Sequence, residues 1–325
     1  MPICGSNLKH IMKTKVKNQI IAELENYLSK HKLSANEFSK KAEINPGYIS
    51  AIRNRNEISS IGGKEVIISD KWYKKIAEYI GLELEQSYWK PLPTDQFNRI
   101  IATLQDAKKY GYTNIIIGST GSGKSFTVDI FVKQNPIDAF KITVGCSDTI
   151  GDLIDKLIES LKIPTAKTKS KKIREIVKKL KQLKYEGFTP IVLFDEAEYM
   201  KQPALCAMKE LYDNLLGICS IILIGTDQLI KNLDKLRKKN KEGIPQLYRR
   251  IKFGIRVLPS IDKTFKQFLN GISDVRLIRF IQQNCENYGE LHDVLVPAIR
   301  ESERIGQPLT EDFVRIVLGI PNLNK

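Results

Sequence analysis

The stretch GSTGSGKS, residues Gly118–Ser125, decides the fold of most of this chain. It fits the phosphate-loop pattern G-x-x-x-x-G-K-[ST] in full. The apolar run Asn114–Ile117 precedes it and a helical pattern, Phe126–Lys133, follows, which is the strand–loop–helix context that the pattern requires. The sequence therefore predicts a nucleotide-binding loop between a buried strand and a helix.

The residue types in this loop suit a polyphosphate. Glycines let backbone N–H groups turn toward phosphate oxygens, and the N-terminus of the following helix adds partial positive charge. Lys124 is expected to reach the β- and γ-phosphates of ATP, and the Ser125 hydroxyl to ligate Mg²⁺. The alternative is a flexible Gly/Ser loop in front of a helix.

A second apolar run, Ile191–Phe194, ends in the adjacent carboxylates Asp195 and Glu196. Ligands bind at the carboxyl ends of strands in an open α/β sheet, so Asp195 is expected beside Mg²⁺. Glu196 is then placed to orient or deprotonate the attacking water. The alternative is a strand that ends in a solvated acidic turn.

The next run, Ser220–Ile224, ends in Gly225 and Thr226. The Thr226 hydroxyl can donate a hydrogen bond to the γ-phosphate. Alternatively, Asp227 caps a helix that starts at Gln228. The residues predicted to bind the nucleotide are Gly118, Ser119, Thr120, Gly121, Ser122, Gly123, Lys124, Ser125 and Thr226.

Strand-like runs alternate with helical patterns from Thr94 onward, and this alternation predicts an α/β domain with a parallel sheet. Pro91 and Pro93 mark a linker before it. After Pro259 the chain continues in helical patterns. The predicted segments are a basic flexible lead-in (1–18), a small all-α helix-turn-helix domain (19–90), a linker (91–98), an ATPase core (99–260) and a helical lid (261–325).

Charge and composition limit the partners and the compartment. The 325 residues carry a net charge of +15, which favours a polyanionic partner, most simply nucleic acid or an anionic membrane, over a merely lysine-rich surface. No apolar run approaches the roughly 18–20 residues needed to span a bilayer, and residues 1–18 lack the apolar segment of a secretory signal. Five scattered cysteines without a CxxC pair, with three histidines, argue against disulfide or zinc frameworks and fit a reducing cytoplasm.

Residues 34–55 have the pattern of a helix-turn-helix. Ser34 and Glu37 have the capping-box spacing for a helix that continues to Ala42, and Asn45 can cap a second helix with Pro46 in its first position. The apolar set expected to pack these helices is Phe38, Ala42, Ile44, Ile49 and Ile52. The predicted recognition face comprises Gly47, Tyr48, Ser50, Ala51, Arg53, Asn54 and Arg55, of which Tyr48, Ser50, Arg53, Asn54 and Arg55 are the predicted DNA contacts.

This segment resembles the helix-turn-helix of phage repressors. The alternative is a small helical bundle for protein contacts. The stretch Glu57–Asp70 has no assignable pattern, and Trp72 and Trp89 are interpreted as core anchors.

Two further stretches, residues 167–184 and 231–241, are rich in lysine. Neither contains a pattern for reading base edges, so they would bind phosphates without sequence preference. A solvated helix face explains either of them equally well. The predicted contacts are Lys171, Lys172, Lys238 and Lys239.

The phosphate loop, the Asp-Glu strand, the Gly-Thr strand end and a later arginine pair together resemble the AAA+ ATPase superfamily. The segments Asp195–Met200, Met208–Asp213 and Ile221–Leu229 resemble the Mu B-like transposition-helper ATPases, and this resemblance covers residues 94–305. Proteins of that family also carry a helix-turn-helix domain at their N-termini.

The resemblance implies two further site residues. An arginine of one subunit completes the ATP site of its neighbour in that family, and Arg250 matches it best, with Arg249 as second choice. The alternative for this pair is a basic surface turn or a DNA contact. Tyr288–Asp293 resembles the lid helix that supplies a sensing arginine, but His292 stands at that position, and a histidine reaches less far and is often neutral near pH 7.

The function implied is that of a Mg²⁺-dependent ATPase that assembles with itself, as a ring or helical filament, on duplex DNA without sequence preference. It would deliver target DNA to a transposase and stimulate it. One alternative is a helicase-loader or secretion-type AAA+ switch. Another is a transcription regulator whose helix-turn-helix reads an operator while ATP gates oligomerisation.

Overall fold

The computed structural model describes residues 14–56, 58–61, 64–82 and 88–321. The chain divides into two compact units, residues 1–87 and 88–325. Among the described residues of the first unit, four helices and one hairpin occur: α1 (Thr14–Lys30), α2 (Ala35–Ala42), α3 (Pro46–Arg53), β1 (Ile58–Ile61), β2 (Lys64–Ile67) and α4 (Asp70–Ile80).

Local capping determines where α2 and α3 begin. The Ser34 hydroxyl accepts a hydrogen bond from the Glu37 amide at 3.2 Å, and the Glu37 carboxylate accepts one from the Ser34 amide at 2.8 Å. The Asn45 side chain accepts from the Gly47 amide at 2.8 Å, with Pro46 as the first residue of α3. These bonds satisfy amides that the helices themselves leave unpaired.

Two expectations for the first unit need correction. Helix α1 starts at Thr14, so residues 14–18 are helical rather than part of a flexible lead-in, because the apolar side chains that follow, such as Ile20 and Leu24, are fully buried. Residues 1–13 lie outside the described residues. The first unit is also not all-α as expected, because strands β1 and β2 form an antiparallel hairpin in the stretch without an assignable pattern. Strands of four residues are too short to show a period.

The second unit contains a five-stranded parallel sheet, as predicted. Its strands are β3 (Asn114–Ile117), β4 (Ala139–Thr143), β5 (Ile191–Asp195), β6 (Ser220–Gly225) and β7 (Ile255–Val257), in the order β4-β5-β6-β3-β7. The sequence indicates the first four of these. It misses β7 because this strand has three residues, partly or largely exposed, at the edge of the sheet.

Helices cover both faces of this sheet. They are α5 (Asp95–Tyr110), α6 (Lys124–Gln134), α7 (Ile150–Ser160), α8 (Lys169–Tyr185), α9 (Gln202–Leu215), α10 (Asp227–Lys238) and α11 (Ile244–Ile251). Alternate residues of the strands contribute to two cores, one on each face of the sheet. Ile116 and Leu193 pack with α5 and α6, whereas Ile115 and Phe194 pack with helices of the other face. Helix α5 starts within the predicted linker, because Thr94 caps it by accepting a hydrogen bond from the Phe97 amide.

The C-terminal region is helical, as predicted. It comprises α12 (Lys266–Leu269), α13 (Val275–Asn284), α14 (Tyr288–Ile305) and α15 (Glu311–Leu318) around a core of its own. Trp89 is partly buried, packs against this core and stacks on Phe268 with ring centroids 4.8 Å apart. Across the described parts of both units, no helix has the length and apolarity needed to cross a membrane.

The register of the sheet aligns the carboxyl ends of its strands. Thr143 pairs with Asp195, and Ile117 pairs with Gly225. The Gly118 amide continues this alignment by donating to the Gly225 carbonyl at 3.1 Å. The sequence motifs that follow these strands therefore meet at one edge of the sheet.

The start of β7 approaches β3 so closely that a side chain at Gly254 has no room. A Cβ there would lie 2.5 Å from the Thr113 carbonyl oxygen, which belongs to the backbone. We expect Gly254→Ala to destabilise the protein by about 1–3 kcal/mol, measured as the free energy of unfolding in urea. The control is Gly151→Ala in α7, where the nearest atom is at 3.4 Å and where alanine is expected to stabilise by about 0.5–1 kcal/mol. Equal effects of the two variants would contradict the close approach.

Candidate nucleotide-binding site

The loop between β3 and α6 has a conformation that requires glycine at defined positions. Gly121 and Gly123 have φ angles of +71° and +79°, in the left-handed region. A Cβ on Gly118 would lie 2.7 Å from the Leu258 side chain. The loop is thus a concave backbone turn in front of the N-terminus of α6, the geometry that binds anions.

Lys124 is the first residue of α6, and its ammonium points back over the loop. Nζ donates hydrogen bonds to the carbonyl oxygens of Gly118 and Ser119, both at 2.8 Å. Burial lowers the pKa of Lys124, while the negative charges of Glu198, Asp195 and Glu196 oppose that shift, Glu198 most strongly. The predicted phosphate-binding lysine therefore lies within the field of three carboxylates.

Two buried polar atoms at this site have no hydrogen-bond partner among the described residues, Ser122 Oγ and Glu198 Oε2. Leaving such an atom unpaired costs about 1–3 kcal/mol. Partners at these two positions would therefore have to come from water or from a ligand. Ser125 is exposed in the first turn of α6, as are Ser119 and Thr120 within the loop.

Asp195 ends β5 with its side chain 3% exposed. Oδ1 accepts a hydrogen bond from the Glu196 amide at 3.1 Å, and Oδ2 lies 3.1 Å from Lys141 Nζ. Burial alone would lower the pKa of Lys141, but its contacts with Asp129 and Asp195 raise that pKa overall. Glu196 is exposed and has a φ of +56°.

Glu198 is a site residue that the sequence pattern did not single out. It lies in a short 3₁₀ helix, Ala197–Tyr199, directly after the acidic pair. Its Oε2 atom packs against Gly225, where any Cβ would collide with it. The available signal is the spacing Asp195-Glu196-Ala197-Glu198, because a tight turn returns the third acid to the strand ends.

Thr226 is the N-cap residue of α10, and its side chain makes no capping hydrogen bond. Helix α10 starts at Asp227, so the alternative in which Asp227 caps a helix from Gln228 is wrong. Asp227 instead forms an ion pair with Lys231 one turn along the helix. Thr226 lies directly after β6, and its predicted hydrogen bond to the γ-phosphate stays a prediction.

The start of α14 contacts the loop directly. The Tyr288 amide donates to the Gly121 carbonyl at 3.0 Å, and Asn287 fills the space where a Gly121 side chain would lie. Tyr288 Oη donates to Gln96 at 2.9 Å, beside a cleft whose lining includes Thr94, Phe265 and Phe268. The described contacts of His292 are Asp293 at 2.9 Å and the edge of the Trp89 ring at 5.2 Å.

Arg250 lies on α11 and contacts α9. Its guanidinium is 2.7 Å from Asp213 Oδ1 and lies over the Tyr212 ring at 5.6 Å. Arg249 is exposed beside it. The described contacts of Arg250 are with α9 and with the Gln246 carbonyl of its own helix, so its predicted action on a neighbouring subunit stays a prediction.

The predicted DNA contacts of the first unit differ in their surroundings. Ser50, Asn54 and Arg55 are exposed, whereas Arg53 forms a two-pronged ion pair with Glu25 at 2.5 and 2.9 Å. Tyr48 stacks on Trp72, with ring centroids 4.9 Å apart.

Two interpretations from sequence are wrong here. Ala51 is 8% exposed and belongs to the core, because it lies between the buried Ile49 and Ile52 on a helix of only eight residues. Trp72 is partly exposed rather than a core anchor, since the buried stripe of α4 runs through Tyr73, Ile76 and Ala77.

The lysines of the two basic stretches lie in the second unit. Lys171 on α8 is exposed, as are Lys238 and Lys239 at the end of α10. Lys172 is largely covered and forms an ion pair with Asp155 at 2.5 Å. Three of the four predicted phosphate contacts are therefore accessible to a large polyanion.

Comparisons with known proteins agree with this geometry. Residues 108–233 match a family model described as an AAA domain. The fold is similar to the Aeropyrum pernix ORC2 protein, solved as ADPNP–ADP complexes, with 16% identity over 72% of this chain and 70% of that chain and a TM-score of 0.53. It is also similar to CDC6P from Pyrobaculum aerophilum, with 15% identity over 74% of this chain and 70% of that chain and a TM-score of 0.54. A search of the curated proteins gives no match.

The second unit therefore has a P-loop AAA+ fold, as the sequence predicts.

Proposed function

We propose that this protein is a Mg²⁺-dependent ATPase that assembles on duplex DNA in its ATP-bound form. The observation that carries the proposal is the meeting of Lys124 with Asp195, Glu196 and Glu198 at the aligned strand ends. A lysine over a glycine cradle binds polyphosphate, and carboxylates beside it serve the metal and the water.

The residues present fit a nucleotide with its metal. The cradle of Gly118–Gly123 contains the buried Ser122 hydroxyl, which has no partner among the described residues and would be available to a phosphate oxygen. Ser125 and Asp195 would hold Mg²⁺, which usually takes one or two protein ligands plus phosphates and water. When bound, the metal would neutralise developing charge on the phosphates.

Four residues of the chain would then have separate roles in ATP hydrolysis. Lys124 would hold the β- and γ-phosphates and Glu196 would orient the water. Thr226 would donate to the γ-phosphate from the end of β6, and Arg250 of a neighbouring subunit would complete the charge compensation. A similar fold binds nucleotide in the ORC2 protein named above, solved with ADPNP and ADP.

The DNA part of the proposal relies on charge and on the first unit. A net charge of +15, with exposed Lys171, Lys238 and Lys239, favours contact with phosphates. Helices α2 and α3 have the lengths and caps of a helix-turn-helix, with Ser50, Asn54 and Arg55 exposed. The resemblance to phage Mu transposition protein B supports the finer role, delivery of target DNA to a transposase.

Electron microscopy in negative stain tests this proposal on random-sequence duplex DNA with ATP and with ADP. We expect rings or filaments for the wild type with ATP, and none with ADP or for Lys124→Ala. The control is Lys109→Ala, an exposed lysine at the end of α5, which removes the same charge outside the predicted site.

Other results would select other functions. Discrete particles on DNA in every condition would contradict ATP-driven assembly. A sequence-specific, dyad-symmetric footprint would favour the transcription regulator. ATP-dependent assembly without DNA, onto a helicase or secretion partner, would favour the loader or secretion-type switch.

A further inference from the structure

Lys141 connects two carboxylates at the edge of the candidate site. It lies on β4, opposite Leu193 of β5, and its side chain is 18% exposed. Nζ is 3.1 Å from Asp195 Oδ2 and 2.6 Å from Asp129 Oδ1 on α6. One ammonium therefore pairs with both the predicted metal-binding carboxylate and a second acid.

The two carboxylates differ in how much they need that ammonium. The Asp195 side chain is 3% exposed, whereas that of Asp129 is 53% exposed. A buried charge without a partner is costly, but an exposed carboxylate is stabilised by water. Lys141 forms the described ion pair with Asp195, so the buried Asp195 depends on this ammonium more than the exposed Asp129 does.

A divalent cation at Asp195 would be a second positive charge beside Lys141. Like charges at one carboxylate disfavour each other. Asp129 already contacts Lys141 at 2.6 Å, so the ammonium can yield Asp195 without becoming unpaired.

We propose that Lys141 is a positioning residue that neutralises Asp195 in the metal-free protein and competes there with Mg²⁺. Binding of Mg²⁺ with nucleotide leaves Lys141 paired with Asp129 alone. This inference rests on the proposed ATPase function. It predicts opposite effects of two substitutions on metal affinity, which a simple packing role does not.

The test measures the affinity of the full chain for Mn²⁺ in saturating ADP, by electron paramagnetic resonance. Lys141→Met removes the competitor, so we expect the Kd for Mn²⁺ to fall roughly five- to tenfold. Asp129→Asn removes the alternative partner, so the Kd should rise. The same Lys141→Met protein should have a lower Tm without ligand and a larger Tm gain from Mg²⁺ plus ADP than the wild type.

Lys108→Met is the matched control. Lys108 forms an ion pair with Asp138 at 2.8 Å, with side chains 17% and 9% exposed, next to the start of β4 and thus away from the aligned strand ends. It should lower Tm as Lys141→Met does, without changing the Kd for Mn²⁺.

The outcomes separate the two proposals. A wild type that binds neither ADP nor Mn²⁺ would contradict the ATPase function itself. Normal wild-type binding, with Mn²⁺ affinity unchanged or weakened in Lys141→Met, would overturn the role of Lys141. If Lys141→Met does not fold, Asp129→Asn decides, since its exposed side chain is not needed for the core; an unchanged or lower Kd for that variant overturns the inference.

Discussion

Glu196→Gln is expected to lower kcat for ATP hydrolysis by about 100-fold or more while leaving ATP affinity within about threefold of the wild type. Glutamine keeps the size and hydrogen-bonding reach of the side chain but cannot accept the proton of the attacking water. Glu196 is exposed at the end of β5, directly after the buried Asp195, so its loss leaves the core intact. Steady-state phosphate release and fluorescent-ATP binding measure the two quantities.

Two companion variants make this result specific. Glu210→Gln, at an exposed position on α9, should leave kcat unchanged. Glu198→Gln tests the other acid near Lys124. The Oε2 atom of Glu198 is buried without a hydrogen-bond partner among the described residues. A collapse of kcat in Glu198→Gln, with near-normal turnover in Glu196→Gln, would show that the water-activating role belongs to Glu198.

Arg250→Ala is expected to lower kcat by about 10³-fold in the assembled protein. A guanidinium supplied by a neighbouring subunit stabilises charge on the transferred phosphoryl group, and alanine removes it. The Arg250 guanidinium is 2.7 Å from Asp213 Oδ1, and the side chain is 23% exposed. Turnover measured on DNA at saturating protein, where assembly is complete, gives the effect.

Arg249→Ala, an exposed neighbour on the same helix, is the matched control and should retain most activity. Mixing tests action between subunits. Lys124→Ala subunits keep Arg250 but lack the lysine of the phosphate loop. Arg250→Ala subunits keep Lys124 but lack the arginine. A mixture of the two variants should regain ATP hydrolysis that neither has alone. Failure to regain it would contradict the action of Arg250 on a neighbouring subunit.

The parallel sheet was predictable because its strands carry strong local signals. The runs beginning at Asn114, Ile191 and Ser220 are entirely buried, so they consist almost wholly of apolar residues. Their ends carry the glycines and acids of the motifs, and parallel alignment brings those ends together. Two features with weak local signals are not predicted correctly. Strand β7 is only three residues long, and Ala51 is too small to indicate which side of α3 is buried.

The sequence by itself determined the class of fold and the candidate nucleotide loop, because both depend on residues that are close together in the chain. Only the tertiary structure placed Lys141 between Asp129 and Asp195, Glu198 against Gly225, and Arg250 beside Asp213. Each of these contacts depends on strand order and helix packing over long sequence separations. Periodicity and motif spacing carry no information about such distances, so the charges that surround the site follow from the fold rather than from the motif.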